Sequence, residues 1–174
     1  MTSETRVLGK NAQYNTLEGE VASGETIYPG MLVEETGTTS SAGADTPTVK
    51  PVATVEKTNA VVLIALPPDT PPHANDSDLP RQHEYDAGEH IEYARVYAGR
   101  VQGALLANGN DLATASEANI SYDNPLAPND DGSLKESTTG DATLARAREA
   151  VDNSGGSGSE GPGDMARIDM EVLR

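Results

Sequence analysis

The chain contains no cysteine, no phenylalanine and no tryptophan, and it has only four lysines and six tyrosines in 174 residues. Without cysteine there is no disulfide framework, thiol nucleophile or thiolate metal site. With an aromatic share of 3%, a core must come from Val, Leu, Ile and Met, which number 34, about a fifth of the chain. Low hydrophobicity with high charge approaches the composition of a disordered chain. Against that stand 22 alanines and several alternating apolar runs, which describe a folded chain whose stability leans on salt or on partners. No run of about 18 apolar residues is long enough to span a bilayer. The opening Met1–Arg6 also lacks the apolar region of a conventional secretory signal.

Positive charge is scarce as well. Twelve Lys and Arg stand against 28 Asp and Glu, for a formal charge of -16. Such a chain repels nucleic acid and anionic membranes unless its basic residues cluster, and here they do not. We therefore expect no direct nucleic-acid partner and no membrane. Acidity with small side chains and few lysines suits a salt-rich setting, where screening shortens the range of self-repulsion. An ordinary acidic protein is the alternative.

Short extended segments separated by Gly, Pro and Asn turns predict an all-β fold, a small barrel or sandwich. Pro29-Gly30 marks a turn between two extended pieces, with glycine supplying the positive φ of a type II turn. Residues 34–48, polar and rich in Thr, Ser and Gly, read as an exposed loop, and the extended pattern resumes over 49–55. Ala60-Val-Val-Leu-Ile-Ala-Leu66 is the most apolar run, and its length and branching predict a central strand. Five prolines within 67–80 exclude strand or helix there and predict an extended arm or a surface excursion. The expected organisation is an N-terminal β segment over 1–66, the Pro-rich excursion over 67–80 and a C-terminal β segment over 81–174, packed as one or two small β domains.

In the second segment, residues 85–90 read as a turn. Ile91, Tyr93, Arg95 and Tyr97 then alternate with Glu92, Ala94 and Val96 as a strand that could continue to Leu106. Residues 124–132 read as a turn cluster and Leu134–Glu136 as a short strand. Ala142–Val151 is open: propensity favours helix, while the surrounding turn spacing favours strand. After a Gly-rich loop over 153–164, Ile168, Met170 and Val172 alternate with Arg167, Asp169 and Glu171 in a closing, half-buried strand.

Candidate chemistry is thin. His73, His83 and His90 are the histidines; the last two flank a turn, yet no zinc-ligand spacing accompanies them. Asp76, Asp78, Asp123, Asp130 and Asp131 are oxygen-rich places for weak cation binding, without the spacing of a Ca²⁺ loop. Ser157 lies in a flexible glycine loop rather than a nucleophile elbow, and Gly99, Gly103 and Gly109 make no phosphate-binding fingerprint. We expect no enzyme, no cofactor and no resident metal. What remains is surface. Tyr is a good interface anchor, and scarce arginines in an acidic chain pair with carboxylates within the fold or across an interface. The candidate interface set is Tyr28, Met31, Tyr85, Tyr93, Arg95, Tyr97, Arg146 and Arg148, with the core as the other home for Tyr93 and Tyr97.

Gly24-Glu-Thr-Ile-Tyr-Pro-Gly-Met-Leu-Val33, Val52-Ala-Thr-Val55 and the apolar 60–66 resemble the opening of the capsid decoration (cement) proteins of tailed viruses. The end resembles them too, in Gly132-Ser-Leu-Lys135, in Thr139–Asp152 and in Arg167–Leu173 after a glycine-rich loop. The resemblance implies that 142–151 is strand. It also implies a small β fold, usually trimeric, on the outer surface of a capsid at three-fold or quasi-three-fold positions, with the major capsid protein as partner. Joined to the acidity, it implies a virus of halophilic archaea. A carbohydrate-binding β module, using Tyr with Asp and Asn in a groove, and a tail or baseplate protein are the alternatives.

Overall fold

The computed structural model describes residues 6–40, 45–52, 62–68, 83–156 and 166–173, with side chains from Asn15 onward. Strands dominate: β1 (Arg6–Val21), β2 (Val33–Thr39), β3 (Pro47–Pro51), β4 (Val62–Ala65), β5 (His90–Leu105), β6 (Asn119–Ile120), β7 (Pro125–Pro128), β8 (Leu134–Glu136), β9 (Ala145–Ala147), β10 (Val151–Asp152) and β11 (Arg167–Val172). Among the described residues the helical elements are two 3-10 turns, Gly109–Asp111 and Ala115–Ala118. The expected all-β class is therefore observed, as a sheet curled into a half-barrel. Its order is β2-β3-β1-β5-β11-β9-β7-β8, with β4 on β5, while β6 and β10 form a separate pair.

β5 organises the molecule. Along one edge it pairs antiparallel with β1. Along the other it pairs first with β4, Val62 opposite Val96, and then with β11, Arg167 opposite Leu105. Two neighbours share this edge in succession along the 16-residue strand, which also bends. Between Val101 and Ala104 it carries one residue more than β11 does between Met170 and Ile168. Gly103 sits there at φ +69°, a bulge conformation that a residue without a Cβ adopts at no steric cost.

The bend lets the sheet close on itself. Tyr28-Pro29-Gly30-Met31 forms the expected turn, with Gly30 at φ +93° and Met31 N–H donating to Tyr28 O at 3.0 Å. From this turn Gly30 N–H donates to Ala65 O at 2.9 Å, and Gly30 O accepts from Leu105 N–H at 2.8 Å. One turn thus ties β4 to the far end of β5.

β4 shows why the most apolar run had to be central: all four of its residues are buried. Val62 and Ile64 face a larger core with Ala94, Val96, Val101, Leu126, Leu134, Ile168 and Met170. Leu63 and Ala65 face a smaller one with Val21, Ile27, Val33, Val49, Ile91 and Tyr93. A strand buried on both faces reads as a continuous hydrophobic run rather than an alternation.

Two expectations are corrected. Residues 34–39 are strand β2 rather than exposed loop, paired antiparallel with β3, Glu34 opposite Lys50 and Glu35 opposite Val49. Its outward residues are polar and exposed, so no apolar alternation announced it. Thr β-propensity, the Lys50–Glu34 ion pair at 3.1 Å and linked hydroxyls of Thr36, Thr38 and Thr48 hold it instead. Residues 125–128, expected within a turn cluster, form β7. Its prolines lie at the two ends, and Leu126 and Ala127 are buried between β8 and β9. The turn itself spans 129–132, where Gly132 takes φ +81° and an added Cβ would stand 2.6 Å from Leu32 O.

At 142–151 strand prevails over helix, in two short pieces: 145–147 is β9, paired with β11, and Val151 begins β10, paired with β6, with non-strand residues between them. The expected strands at 91–97, continuing to Leu105, at 134–136 and at 167–172 are all present. Most of the Pro-rich excursion and most of the Gly-rich loop, with His73, Asp76, Asp78 and Ser157, lie outside the described residues.

Candidate interaction surface

β5 presents two faces of unequal fate. Val96 and Val101 both lie in the larger core although they are five residues apart, because β5 carries Tyr97 as an extra residue between Val96 and Ala98, opposite Tyr14 and Gln13 of β1. On either side of this bulge, Arg95, Tyr97 and Arg100, each next to a core valine, point the other way. At Ile91 and Tyr93 that other face is covered by the smaller core. From Tyr97 to Gln102 it is open. The same parity holds on the neighbours. Ile168, Met170 and Val172 of β11 and Ala145 and Ala147 of β9 are in the larger core, leaving Asp169, Glu171, Leu173, Arg146 and Arg148 on the opposite side.

Register then sets charges side by side: Glu171 of β11 stands between Arg100 of β5 and Arg146 of β9. Arg148 Nε donates to Glu171 Oε2 at 2.6 Å and Arg148 Nη1 to Asp123 Oδ1 at 2.8 Å. The Glu171 carboxylate, more than Asp123, holds the Arg148 guanidinium above its ordinary pKa. Arg146 Nη1 donates to Asp123 O at 3.0 Å. Asp123 sits at φ +69°, a left-handed conformation that Asp tolerates better than most side chains. Arg148 also lies over the Tyr122 ring, 5.8 Å from its centre.

Asp169 anchors this face at the bulge. It is buried, and its carboxylate accepts from Arg100 Nη2 at 2.7 Å and from Gly103 N–H at 3.2 Å. A buried carboxylate needs such donors to offset its lost hydration. Arg167, two residues before Asp169 on β11, reaches the same bulge, donating to Gly103 O at 2.9 Å and Pro29 O at 2.7 Å.

Of the eight candidate interface residues, Met31, Tyr85 and Tyr93 are buried within the chain's own smaller core, and Tyr28 packs half-buried against it. Burial, with Glu84 nearby, raises the Tyr28 phenol above its ordinary pKa. Arg95 marks the boundary, 3.4 Å from Glu35. Tyr97, Arg146 and Arg148 belong to the open face. Sequence reasoning left Leu173, Tyr122, Glu171 and Asp169 out of the set. The alternation of β11 could have flagged Leu173 and Glu171, whereas Asp169 depends on a bulge that sequence does not announce.

The remaining candidates are occupied locally. His83 packs edge-on to Tyr85 and lies 3.9 Å from Glu89, while His90 lies 3.6 Å from Glu18. Asp131 accepts from Ser133 N–H at 2.9 Å and Asn129 Nδ2 at 3.1 Å. No group of three or more His, Asp or Glu stands placed to hold a metal ion among the described residues. At the rim of the larger core, Lys135 Nζ lies 2.7 Å from Glu117 and 3.5 Å from Asp141. The Glu117 hydrogen bond raises the Lys135 pKa. Asp141 is lowered, first by the Thr138 backbone N–H and then by the Thr138 hydroxyl and Lys135.

No family model and no curated protein matches the sequence. In structure the chain is similar to the N base of the head fiber protein gp8.5 of bacteriophage phi29. The TM-score is 0.54 over 92% of this chain and 95% of that one, at 9% sequence identity. A likeness that spans nearly all of both chains at so low an identity is a likeness of fold.

Proposed function

We propose that this chain is a structural protein of a virion, seated on the outside of a capsid. The observation that carries the proposal is the fold shared along nearly its whole length with the base of a phage head fiber. In the finer reading, the chain is a homotrimer that docks on the major capsid protein at three-fold or quasi-three-fold positions and stabilises the shell. The work is mechanical: distributed apolar, hydrogen-bonded and ion-paired contacts hold neighbouring capsomers, with no turnover and no cofactor. A formal charge of -16 supports a salt-rich habitat, such as that of a virus of halophilic archaea, because many copies crowded on one shell need screening.

The test is mass spectrometry and electron microscopy of purified particles from the source of the sequence. We expect the protein in the particles, with density outside the shell at three-fold positions and weaker resistance to low salt when it is stripped. Particles that lack the protein overturn the reading. Density elsewhere on the shell overturns the lattice position alone.

A further inference from the structure

We infer that the open face of β5, β11 and β9 is where one copy of this chain binds another. The inference rests on the reading above that the chain works as an oligomer, and it names the surface. Three large hydrophobic side chains are exposed among the described residues: Tyr97 at 45%, Tyr122 at 63% and Leu173 at 40%. All three belong to this face. Tyr97 and Leu173 lie on adjacent strands, since Val172 pairs with Gly99, and Tyr122 lies under Arg148. Tyr and Arg are the side chains most enriched in the centres of interfaces, where they combine large area with polar ends.

Charge selects the occupant. Arg95, Arg100, Arg146, Arg148 and Arg167 on and around this face are balanced by Glu35, Asp123, Glu149, Asp169 and Glu171. The face is therefore formally neutral, and the whole charge of -16 lies on the rest of the chain. Two copies of so acidic a protein repel each other in most orientations. Brought together through the neutral face, they keep their acidic surfaces apart and juxtapose both signs of charge. Glu171, at 48% exposure, and Arg148, at 23%, can then exchange partners between copies. Because both signs of charge are present on the face, copies that meet through it, about a two-fold axis or around a closed three-fold ring, can set opposite charges against each other.

Salt gives the contact a signature. Raising ionic strength from 0.1 M to 1 M shortens the screening length from about 10 Å to about 3 Å. That weakens the long-range repulsion more than it weakens close ion pairs and apolar contacts. Self-association through this face therefore tightens with salt.

The experiment measures the mass of the full-length protein by light scattering over a range of concentrations at both salt levels. Wild type is compared with a face variant (Tyr97→Ser, Tyr122→Ser, Leu173→Ser) and an edge variant on β2 (Thr36→Lys, Thr38→Lys). We expect wild type and the edge variant to associate, more tightly at 1 M salt, and the face variant to associate at least tenfold more weakly with an unchanged circular dichroism spectrum. A wild type that stays monomeric throughout, or a face variant that associates as well as wild type, overturns the inference. Because the chain has no cysteine, single Tyr122→Cys and Thr38→Cys variants give a second readout that does not need the triple variant to fold. Mild oxidation should cross-link copies through Cys at 122 and not at 38; the reverse pattern overturns the inference. A protein that is monomeric in solution yet present on particles sinks this inference while leaving the virion reading intact.

Discussion

The two cores on either side of β4 and β5 solve the same shortage of large side chains differently. The larger core is built from aliphatic side chains and Met170, with small alanines at 94, 104, 145 and 147. Its ionic support, Lys135 with Glu117 and Asp141, stays at the rim. The smaller core gains volume from tyrosine and must accommodate the hydroxyls that come with it. Tyr85 OH donates to Leu66 O at 3.0 Å and Tyr93 OH to Glu35 Oε1 at 3.0 Å. Where phenylalanine is absent, aromatic volume brings a polar atom that must be paired inside the fold.

The largest effect is expected at Leu126, fully buried in the larger core. Leu126→Ala should cost about 2–5 kcal/mol, the range for a large aliphatic cut back to alanine in a packed core. Both cores are built on β4 and β5, so unfolding in urea should remain one transition. Tyrosine fluorescence, measured in a Tyr97→Ser, Tyr122→Ser background so that Tyr28, Tyr85 and Tyr93 of the smaller core dominate its change, should coincide with circular dichroism. Separate midpoints would show that the cores are independent.

A smaller effect is expected at the smaller core. Tyr93→Phe keeps the ring and removes the hydroxyl, leaving Glu35 with Arg95, at a cost of about 1 kcal/mol. It should also change the alkaline limb of stability. Burial, and then the Glu35 hydrogen bond, push the Tyr93 phenol well above its ordinary value of 10.0. The folded state therefore holds that proton more tightly than the unfolded chain. The resulting stabilisation is intact below pH 10 and is lost as pH rises through the folded pKa. Thermal melts should fall more gently above pH 10 in the variant than in wild type, and parallel curves would remove the assignment.

The smallest change tests the rim of the larger core. Asp141 titrates below its ordinary value of 3.8, so its stabilisation is present above that value and fades as pH falls through the folded pKa. Asp141→Asn should cost about 0.5 kcal/mol at neutral pH, because the group is partly solvated. It should also flatten the melting temperature below pH 4. An unchanged acid limb would assign that slope to other carboxylates.

Much of the fold could be read from local pattern. The alternation of 91–97 and 167–172 and the Pro29-Gly30 turn each rest on residues whose preferences agree with their surroundings. β2 and β7 escaped because their signals conflict. The outward residues of β2 are polar, and the prolines of β7 read as breakers although they only bound a two-residue buried centre. Ala142–Val151 could not be decided locally, since alanine and arginine accept either backbone; the edges of β11 and β6 decided it. For the surface, sequence pointed to Tyr97, Arg146 and Arg148, and equally to Met31, Tyr85 and Tyr93, which the fold buries.

The absence of thiol chemistry, the all-β character, the sparse core and the charge of -16 are written in the residues themselves. These follow from residue counts and short-range preferences, which do not depend on what lies across the sheet. Packing of the folded sheet sets which tyrosines are inside, where Asp169 finds its donors, and that Arg100, Glu171 and Arg146 form one row. Those facts depend on strand register and on a bulge at Gly103. A shift of one residue in register would turn every one of those side chains to the opposite face.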